Sequence, residues 1–478
     1  MSSPVWLTSV CHLSDTRAEP LPSQIYKDLT QAIRDGRIAD GDRLPSSRSA
    51  ALALGVSRTT VTAAYELLAT EGIVTVRQGA APRVIAPDPP GVDPRPDQGP
   101  DQGPTLSKRG ITLSTDLRRQ IMPASGGALV PGEPDETLFP SEDWARVLRR
   151  VSRRRLGTSA LYDATYGVKA LRQALRDRLA ADRGVHVEAD QIVIVPGSQA
   201  ALALLSHSLT DPGDIAALET PGWLGARTAF LGAGLRLAPL PVDASGADPA
   251  HFPPDARLAY LTPSNQYPLG TRLSLSRRLD FIARAKAAGA ILIEDDYDSD
   301  FHWSGRTIPA LAAQEHGGHV ILVGSASKAL LPALRIGWIV VPSGLVGCIR
   351  AAQRNLGIMA NVHAQLALAE LMSSGRYRAQ IRRIARSYHH RVRSLLDALA
   401  TLPEARVHAP DGGVQVTLQF GPDRDEAELV SHLARYDLHP ARLSGYCLNG
   451  ERQGLVIGIG SATPDRIERL RKALADRF

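Results

Sequence analysis

Apolar residues recur at helical spacing from residue 20 onward: Leu21, Ile25, Leu29 and Ile33 share one face, a second stretch surrounds Leu52 and Leu54, and a third runs through Val61, Tyr65 and Leu68. The three stretches predict a compact three-helix unit. IVTVRQGAAPRV then alternates, turns at Gly79 and resumes at Arg83 and Val84, the pattern of a two-stranded wing. The first domain is therefore read as residues 20–86.

Residues 87–124 read as a linker, opening with PDPPGVDPRPDQGPDQGP, where a doubled DQGP and closely spaced prolines exclude helix and sheet ladders. As polyproline II, at about 3.1 Å per residue, that run spans roughly 50–60 Å. It either sets a distance between two domains or is a spacer without a signalling role.

From residue 125, helical stretches such as SEDWARVLRRVSRR and VKALRQALRDRLA alternate with short apolar runs: QIVIVP, DIAAL, LAYLTP, AILIEDD and HVILVGS. Such alternation predicts an α/β domain with a mostly parallel central sheet over 125–341. Arg-rich helices followed by the strands TLQF and GLVIGIG predict a C-terminal α+β subdomain over 342–478.

Composition changes this picture little. The 478 residues are 44% hydrophobic and 22% charged, as in ordinary globular proteins. Cys11, Cys348 and Cys447 have neither disulfide-framework nor metal-ligand spacing, so no metal site is expected and a reducing compartment is. The opening MSSPVWLTSVCHLSD lacks the basic and apolar regions of a signal peptide, and no apolar run reaches the roughly 20 residues of a membrane span. A cytoplasmic protein with no membrane partner is expected.

The net charge of +6 permits a polyanionic partner without demanding one; its placement says more. Between Arg43 and Tyr65 there are three arginines and no acidic residue. Within RLPSSRSAALALGVSRTTVTAAYELLATEGIV, Gly55-Val56 forms a turn, Ser57 can cap the next helix, and Arg58, Thr59 and Thr60 occupy its first turn, where a recognition helix meets the major groove. Arg48, Arg58, Arg77 and Arg83 could contact phosphates or guanine edges, or be solvated charges on a helical hairpin.

Lysine is scarce: six occur. One, Lys328, follows HVILVG in SASKALLPALRIGW, where burial would depress its pKa and make it a Schiff-base nucleophile; the alternative is a lysine snorkelling from a strand end. Asp295 ends the apolar run of AILIEDDYDSD, where its carboxylate could keep a pyridinium nitrogen protonated, bind metal in an acidic cluster, or cap a helix. Anion-binding groups are at hand in Gly197, Ser198, Gln199 and Ala200, which open a helix after QIVIVP, and in Ser325, Ser327 and Arg335 around the lysine.

The N-terminal segment resembles the GntR family of winged-helix regulators, whose motif runs LPSSR-x-LA-x-x-LGVSR-x-TV-x-x-AYE-x-L-x-x-EG, over about 65 residues. The resemblance implies DNA contacts from Arg48, Ser57, Arg58, Thr59, Thr60, Gln78 and Gly79. The wing departs, with GAAPRV where the family has GSGTFV.

The SASK and EDDY motifs resemble fold-type I aminotransferases, and residues 20–478 as a whole resemble the MocR/GabR subfamily, in which a winged helix-turn-helix is fused to an aminotransferase-like domain that senses an effector. Pyridoxal 5'-phosphate is the implied cofactor. By this resemblance Lys328 holds it covalently, Asp295 pairs with its ring nitrogen, Tyr297 reaches its hydroxyl, and Trp223 stacks on its ring in place of the usual tyrosine. Tyr162 matches a tyrosine given to the partner's phosphate site, so a homodimer is implied.

Two departures bear on turnover. In TPSNQYPLG, Tyr267 stands at the asparagine and Leu269 at the threonine of Asn-Pro-Thr-Gly, and Val456 stands where aminotransferases pair an arginine with the substrate carboxylate. Arg227 could hold an anionic effector instead, or form a surface salt bridge. The expectation is a regulator that binds an operator in double-stranded DNA and senses an amine, an amino acid or pyridoxal phosphate itself; the alternative is a working aminotransferase carrying a DNA-binding domain.

Overall fold

A computed structural model describes the chain apart from residues 1–5, 14–18, 77–79, 86–104, 116, 122–126, 158–165, 303–308, 316, 401, 403–404, 451 and 478. It divides into two compact units, Met1–Thr105 and Leu106–Phe478. No helix among the described residues is long and apolar enough to cross a membrane.

The first unit contains α1 (Trp6–Val10), α2 (Leu21–Arg34), α3 (Ser47–Leu54) and α4 (Arg58–Thr70), followed by β1 (Val74–Thr75) and β2 (Arg83–Val84), which pair antiparallel as the expected wing. Ile25 and Leu29 of α2 and Val61 and Leu68 of α4 are fully buried together, at about 1.5–3 kcal/mol per side chain. Two details differ from the sequence reading. Leu52 is 84% exposed, because helical geometry turns Ala50 and Ala51 inward and Leu52 outward. The unit also begins earlier than residue 20, since Leu7 and Cys11 of the α1 segment enter its core.

The second unit begins with α5 (Lys108–Ser114) and α6 (Leu117–Ile121), where a linker was expected. Sparse apolar residues suffice to dock them: Leu113 packs on Gly232, and Ile121 lies so close to Gly445 that a Cβ there would overlap it. There follow α7 (Ser141–Ser152), α8 (Lys169–Arg183), β3 (Ile192–Val195), α9 (Ser198–Leu209), β4 (Ile215–Thr220), α10 (Leu224–Ala233), β5 (Arg236–Asp243), β6 (Gly246–Ala247), β7 (Ala256–Leu261), α11 (Leu275–Ala288), β8 (Ile291–Asp296), β9 (Val320–Ser325) and β10 (Gly337–Val340).

These strands form one sheet in the order β3-β10-β9-β8-β7-β4-β5-β6. Neighbours from β9 to β5 run parallel, β10 is antiparallel to both its neighbours, and β6 is an antiparallel edge. All five expected strands are present. The three missed ones have weak signals, β5 through Pro239 and Pro241, and β6 and β10 through lengths of two and four residues. Both faces are covered: Ala259 and Leu261 of β7 enter one core, Leu258 and Tyr260 another.

Beyond it come α12 (Val346–Asn355), α13 (Val362–Ser373), α14 (Arg376–Leu399), β11 (Arg406–His408), β12 (Gln415–Phe420), α15 (Glu426–Ala434), β13 (Ala441–Arg442), β14 (Gln453–Gly458) and α16 (Pro464–Ala475). The C-terminal strands form a separate antiparallel sheet, β11-β12-β14-β13. Its core includes Ala128 and Leu129 from far upstream, while Ile349 of α12 and Leu368 of α13 pack with the large sheet. The α+β part thus gathers around α14 and later elements rather than starting at residue 342.

Candidate functional site

In the first unit, Gly55 ends α3 in the left-handed conformation, with φ 66°, and so turns the chain into α4. Ser57 caps α4 by accepting from the Thr60 amide at 3.1 Å, and its hydroxyl also lies 2.7 Å from those of Thr59 and Thr60. These hydroxyls shape the helix start. Arg48 is exposed and has no side-chain partner among the described residues, whereas exposed Arg58 donates to Ser47 Oγ at 3.3 Å. Arg83 donates to the Gly41 carbonyl at 2.8 Å, which ties it to the wing's base. Gln78 and Gly79 lie outside the described residues.

In the second unit, the C-terminal ends of β3, β4, β7, β8 and β9 open onto a cavity of about 960 Å³, the place where open α/β sheets bind ligands. Lys328 lies just past β9, and its Nζ donates to the Gly132 carbonyl at 2.5 Å. The cavity leaves the side chain half-buried, yet the surrounding protein desolvates the amine and lowers its pKa to about 8, against the opposing pull of Asp298 and Asp295. At neutral pH a useful fraction of such an amine is unprotonated.

Asp295, at the end of β8, is 3% exposed. Its Oδ2 accepts from the Tyr260 hydroxyl at 2.7 Å, and its Oδ1 is buried without a partner among the described residues. Burial raises its pKa to about 7 in spite of that hydrogen bond. An unsatisfied buried polar atom costs about 1–3 kcal/mol, so Oδ1 calls for a donor that the described residues do not supply. A pyridinium N–H is such a donor. Trp223, at the start of α10, lies half-stacked on Tyr260 with ring centroids 6.1 Å apart and planes at 28°, forming an aromatic wall beside the carboxylate.

A cradle for an anion faces the same cavity. Gly197, with φ 99°, precedes Ser198 and Gln199 at the N-terminus of α9, and a Cβ on it would stand 3.7 Å from the Arg335 guanidinium. That guanidinium has no partner among the described residues. Ser325 and Ser327 are joined by a 2.8 Å hydrogen bond, and Gln199 is anchored to the Gly225 carbonyl at 3.0 Å. An amine, a carboxylate lacking a donor and an unpaired cation beside a helix N-terminus fit the aldehyde, ring nitrogen and phosphate of pyridoxal phosphate.

Tyr267 and Tyr297 line the cavity as well, their rings packed edge to face at 6.0 Å. The Tyr297 hydroxyl donates to the Asn265 carbonyl and accepts from Gln415, both at 3.0 Å. Tyr267 donates to the Tyr446 hydroxyl at 3.2 Å. Val456 is fully buried in β14, and Arg227 is absent from the cavity lining: one turn into α10, it leaves Thr228 facing the cavity and keeps its own Nε buried without a partner among the described residues. Tyr162 lies outside the described residues.

Several lining residues escaped the sequence reading: Tyr260, Tyr446, Gly132 and the pair Arg118–Glu133. Arg118 of α6 meets Glu133 at 3.4 Å, with the side chains 59% and 37% exposed, an ion pair of about 0–1 kcal/mol. The repeated charges of DLRRQI carry no signal that singles Arg118 out.

Residues 131–444 match the family described as aminotransferase class I and II, and residues 21–84 match the bacterial regulatory proteins of the gntR family. The chain is 36% identical over 469 residues to the probable rhizopine catabolism regulatory protein MocR of Rhizobium meliloti, covering 96% of this chain and 94% of that one. It is 30% identical over 457 residues to the HTH-type pyridoxine biosynthesis transcriptional regulator PdxR of Corynebacterium glutamicum, covering 95% of each. Among solved structures, the α-aminoadipate aminotransferase LysN of Thermus thermophilus, complexed with N-(5'-phosphopyridoxyl)-L-leucine, matches with a TM-score of 0.69 at 25% identity, over 78% of this chain and 97% of that one. Because both halves match in order, and regulators of the same build align along nearly the whole length, the chain belongs to the MocR-type gntR family of bacterial transcription regulators, with an aminotransferase class I and II fold as its second unit.

Proposed function

We propose that this protein regulates transcription in the cytoplasm as a homodimer: its first unit binds an operator in double-stranded DNA, and its second holds pyridoxal phosphate on Lys328 and responds to an amine, an amino acid or the cofactor itself. The observation that carries the cofactor half is the cavity that gathers a depressed lysine, Asp295 with its unpartnered Oδ1, and unpaired Arg335.

Bound there, pyridoxal phosphate supplies an aldehyde that condenses reversibly with amines and a ring that withdraws electrons. The chain's own residues do the rest. Lys328 offers a largely desolvated amine, Asp295 would accept from the ring nitrogen, Trp223 would wall the ring's face, and Arg335 with the start of α9 would take the phosphate. With the group held there, Lys328 would be the amine with which an effector amine competes for the aldehyde, and a freed lysine would favour one arrangement of the dimer over another and so change DNA affinity.

Sensing is favoured over turnover because buried Val456 leaves no guanidinium at the position where aminotransferases grip the substrate carboxylate. The test is equilibrium binding of the full-length protein to its own upstream DNA, with and without cofactor, read beside the cofactor's absorbance when amines are added. DNA affinity that depends on both supports a sensor; conversion of the cofactor to its amine form with sustained turnover supports the enzyme reading.

A further inference from the structure

The loss of the usual arginine at Val456 leaves a question of charge. An amino-acid effector condensing with the cofactor's aldehyde would bring a carboxylate into the cavity, and Arg335 lies toward Gly197. A second cation stands at the Lys328 end. Gly132 accepts from Lys328 Nζ at 2.5 Å, and the next residue, Glu133, holds Arg118 at 3.4 Å. Arg118 and Glu133 both line the cavity with Tyr267 and Tyr446, and the Arg118 charge acts on Lys328 and on both tyrosines.

We infer that Arg118 is the anchor for the carboxylate of an amino-acid effector, and that Glu133 occupies it until the effector arrives. This rests on the cofactor-bearing sensor reading above. The resting pair is exposed and single-contact, so a carboxylate presented in the right place exchanges with Glu133 at little cost. A planar guanidinium can then grip both carboxylate oxygens, which an amine without an acid group cannot exploit. The selected ligands are thus amino acids over plain amines. Arg118 also belongs to α6, in the stretch that follows the proline-rich run, so the anchor lies on the segment of the second unit nearest in sequence to the DNA-binding unit.

The experiment uses full-length protein loaded with pyridoxal phosphate. The change in cofactor absorbance is titrated with L-alanine, β-alanine and 4-aminobutyrate, each against the amine in which methyl replaces its carboxylate: isopropylamine, propylamine and butylamine. Wild-type protein is expected to respond to at least one acid at a half-saturating concentration tenfold or more below that of its amine. Arg118→Gln should lose that preference by raising the acid's value at least tenfold more than the amine's; Arg118→Lys should keep part of it, and Glu133→Gln should lower the acid's value. The inference is overturned if wild-type protein treats every acid and its amine alike, or if Arg118→Gln keeps the preference with its cofactor absorbance intact. Absence of cofactor absorbance from the wild-type protein instead sinks the underlying sensor reading, and this inference with it.

Discussion

Tyr260 donates its hydroxyl hydrogen to Asp295 Oδ2 at 2.7 Å and leaves Asp295 Oδ1 buried and unpartnered. In the sheet Tyr260 pairs with Ile293, so Asp295 is its diagonal neighbour two residues on, on the same face. The strand register thus orients the carboxylate, and the cavity receives the oxygen that remains.

The raised pKa of Asp295 sets a sign for stability. Burial lifts it from 3.8 to about 7 in the folded chain, so this residue stabilises the cofactor-free fold below about pH 4 and loses that contribution as pH climbs through 7. Asp295→Asn cannot titrate and keeps an acceptor for Tyr260. Its melting temperature relative to wild type, both without cofactor, should therefore rise between pH 5 and pH 8; a constant difference would mean that Asp295 titrates normally.

Lys328 should reveal its environment kinetically. With a pKa near 8, its reaction with pyridoxal phosphate should accelerate from pH 7 to about 9 and then level off, whereas an ordinary lysine with a pKa near 10.4 keeps gaining to higher pH. Stopped-flow absorbance measures this directly, and Lys328→Ala should show no such phase.

Arg335 separates phosphate recognition from ring recognition. Replacing its unpaired guanidinium in Arg335→Gln removes charge-assisted hydrogen bonds of about 1.5–3 kcal/mol, equivalent to roughly 10- to 150-fold in affinity. Pyridoxal phosphate should bind more weakly by that amount, and pyridoxal, which lacks the phosphate, should bind as it does to wild type.

In the first unit, folding and DNA contact should come apart at adjacent residues. Ser57→Ala removes the cap of α4 and should cost about 1 kcal/mol of stability. Arg58→Ala should leave the melting temperature within about a degree, weaken DNA binding, and reduce the salt slope by about one if it meets a phosphate.

Much of this was legible in the sequence because it rests on local pattern: periodicity marked the three helices and the parallel strands, and Ser57, Asp295 and Lys328 announced themselves at element boundaries. What was missed is assembled from a distance. Arg118 and Glu133 are ordinary charges until α6 folds back beside residues 131–134, and Tyr260 reads as one more apolar-strand residue until β7 sets it beside β8. Arg227 illustrates the converse: a suitable residue close in sequence to Trp223, but rotated away from the cavity by the helix that carries both.

The central claim is that occupation of Lys328 governs DNA binding. Its most direct test is the affinity of full-length protein for its own upstream DNA at fixed salt, measured by fluorescence anisotropy for wild type and Lys328→Ala, each without cofactor, with pyridoxal phosphate, and with pyridoxal phosphate plus a responding amine. The wild-type affinity should shift at least tenfold between two of these states while Lys328→Ala holds one value throughout; a wild-type affinity that is the same in all three, or a Lys328→Ala protein that shifts as wild type does, would contradict the account.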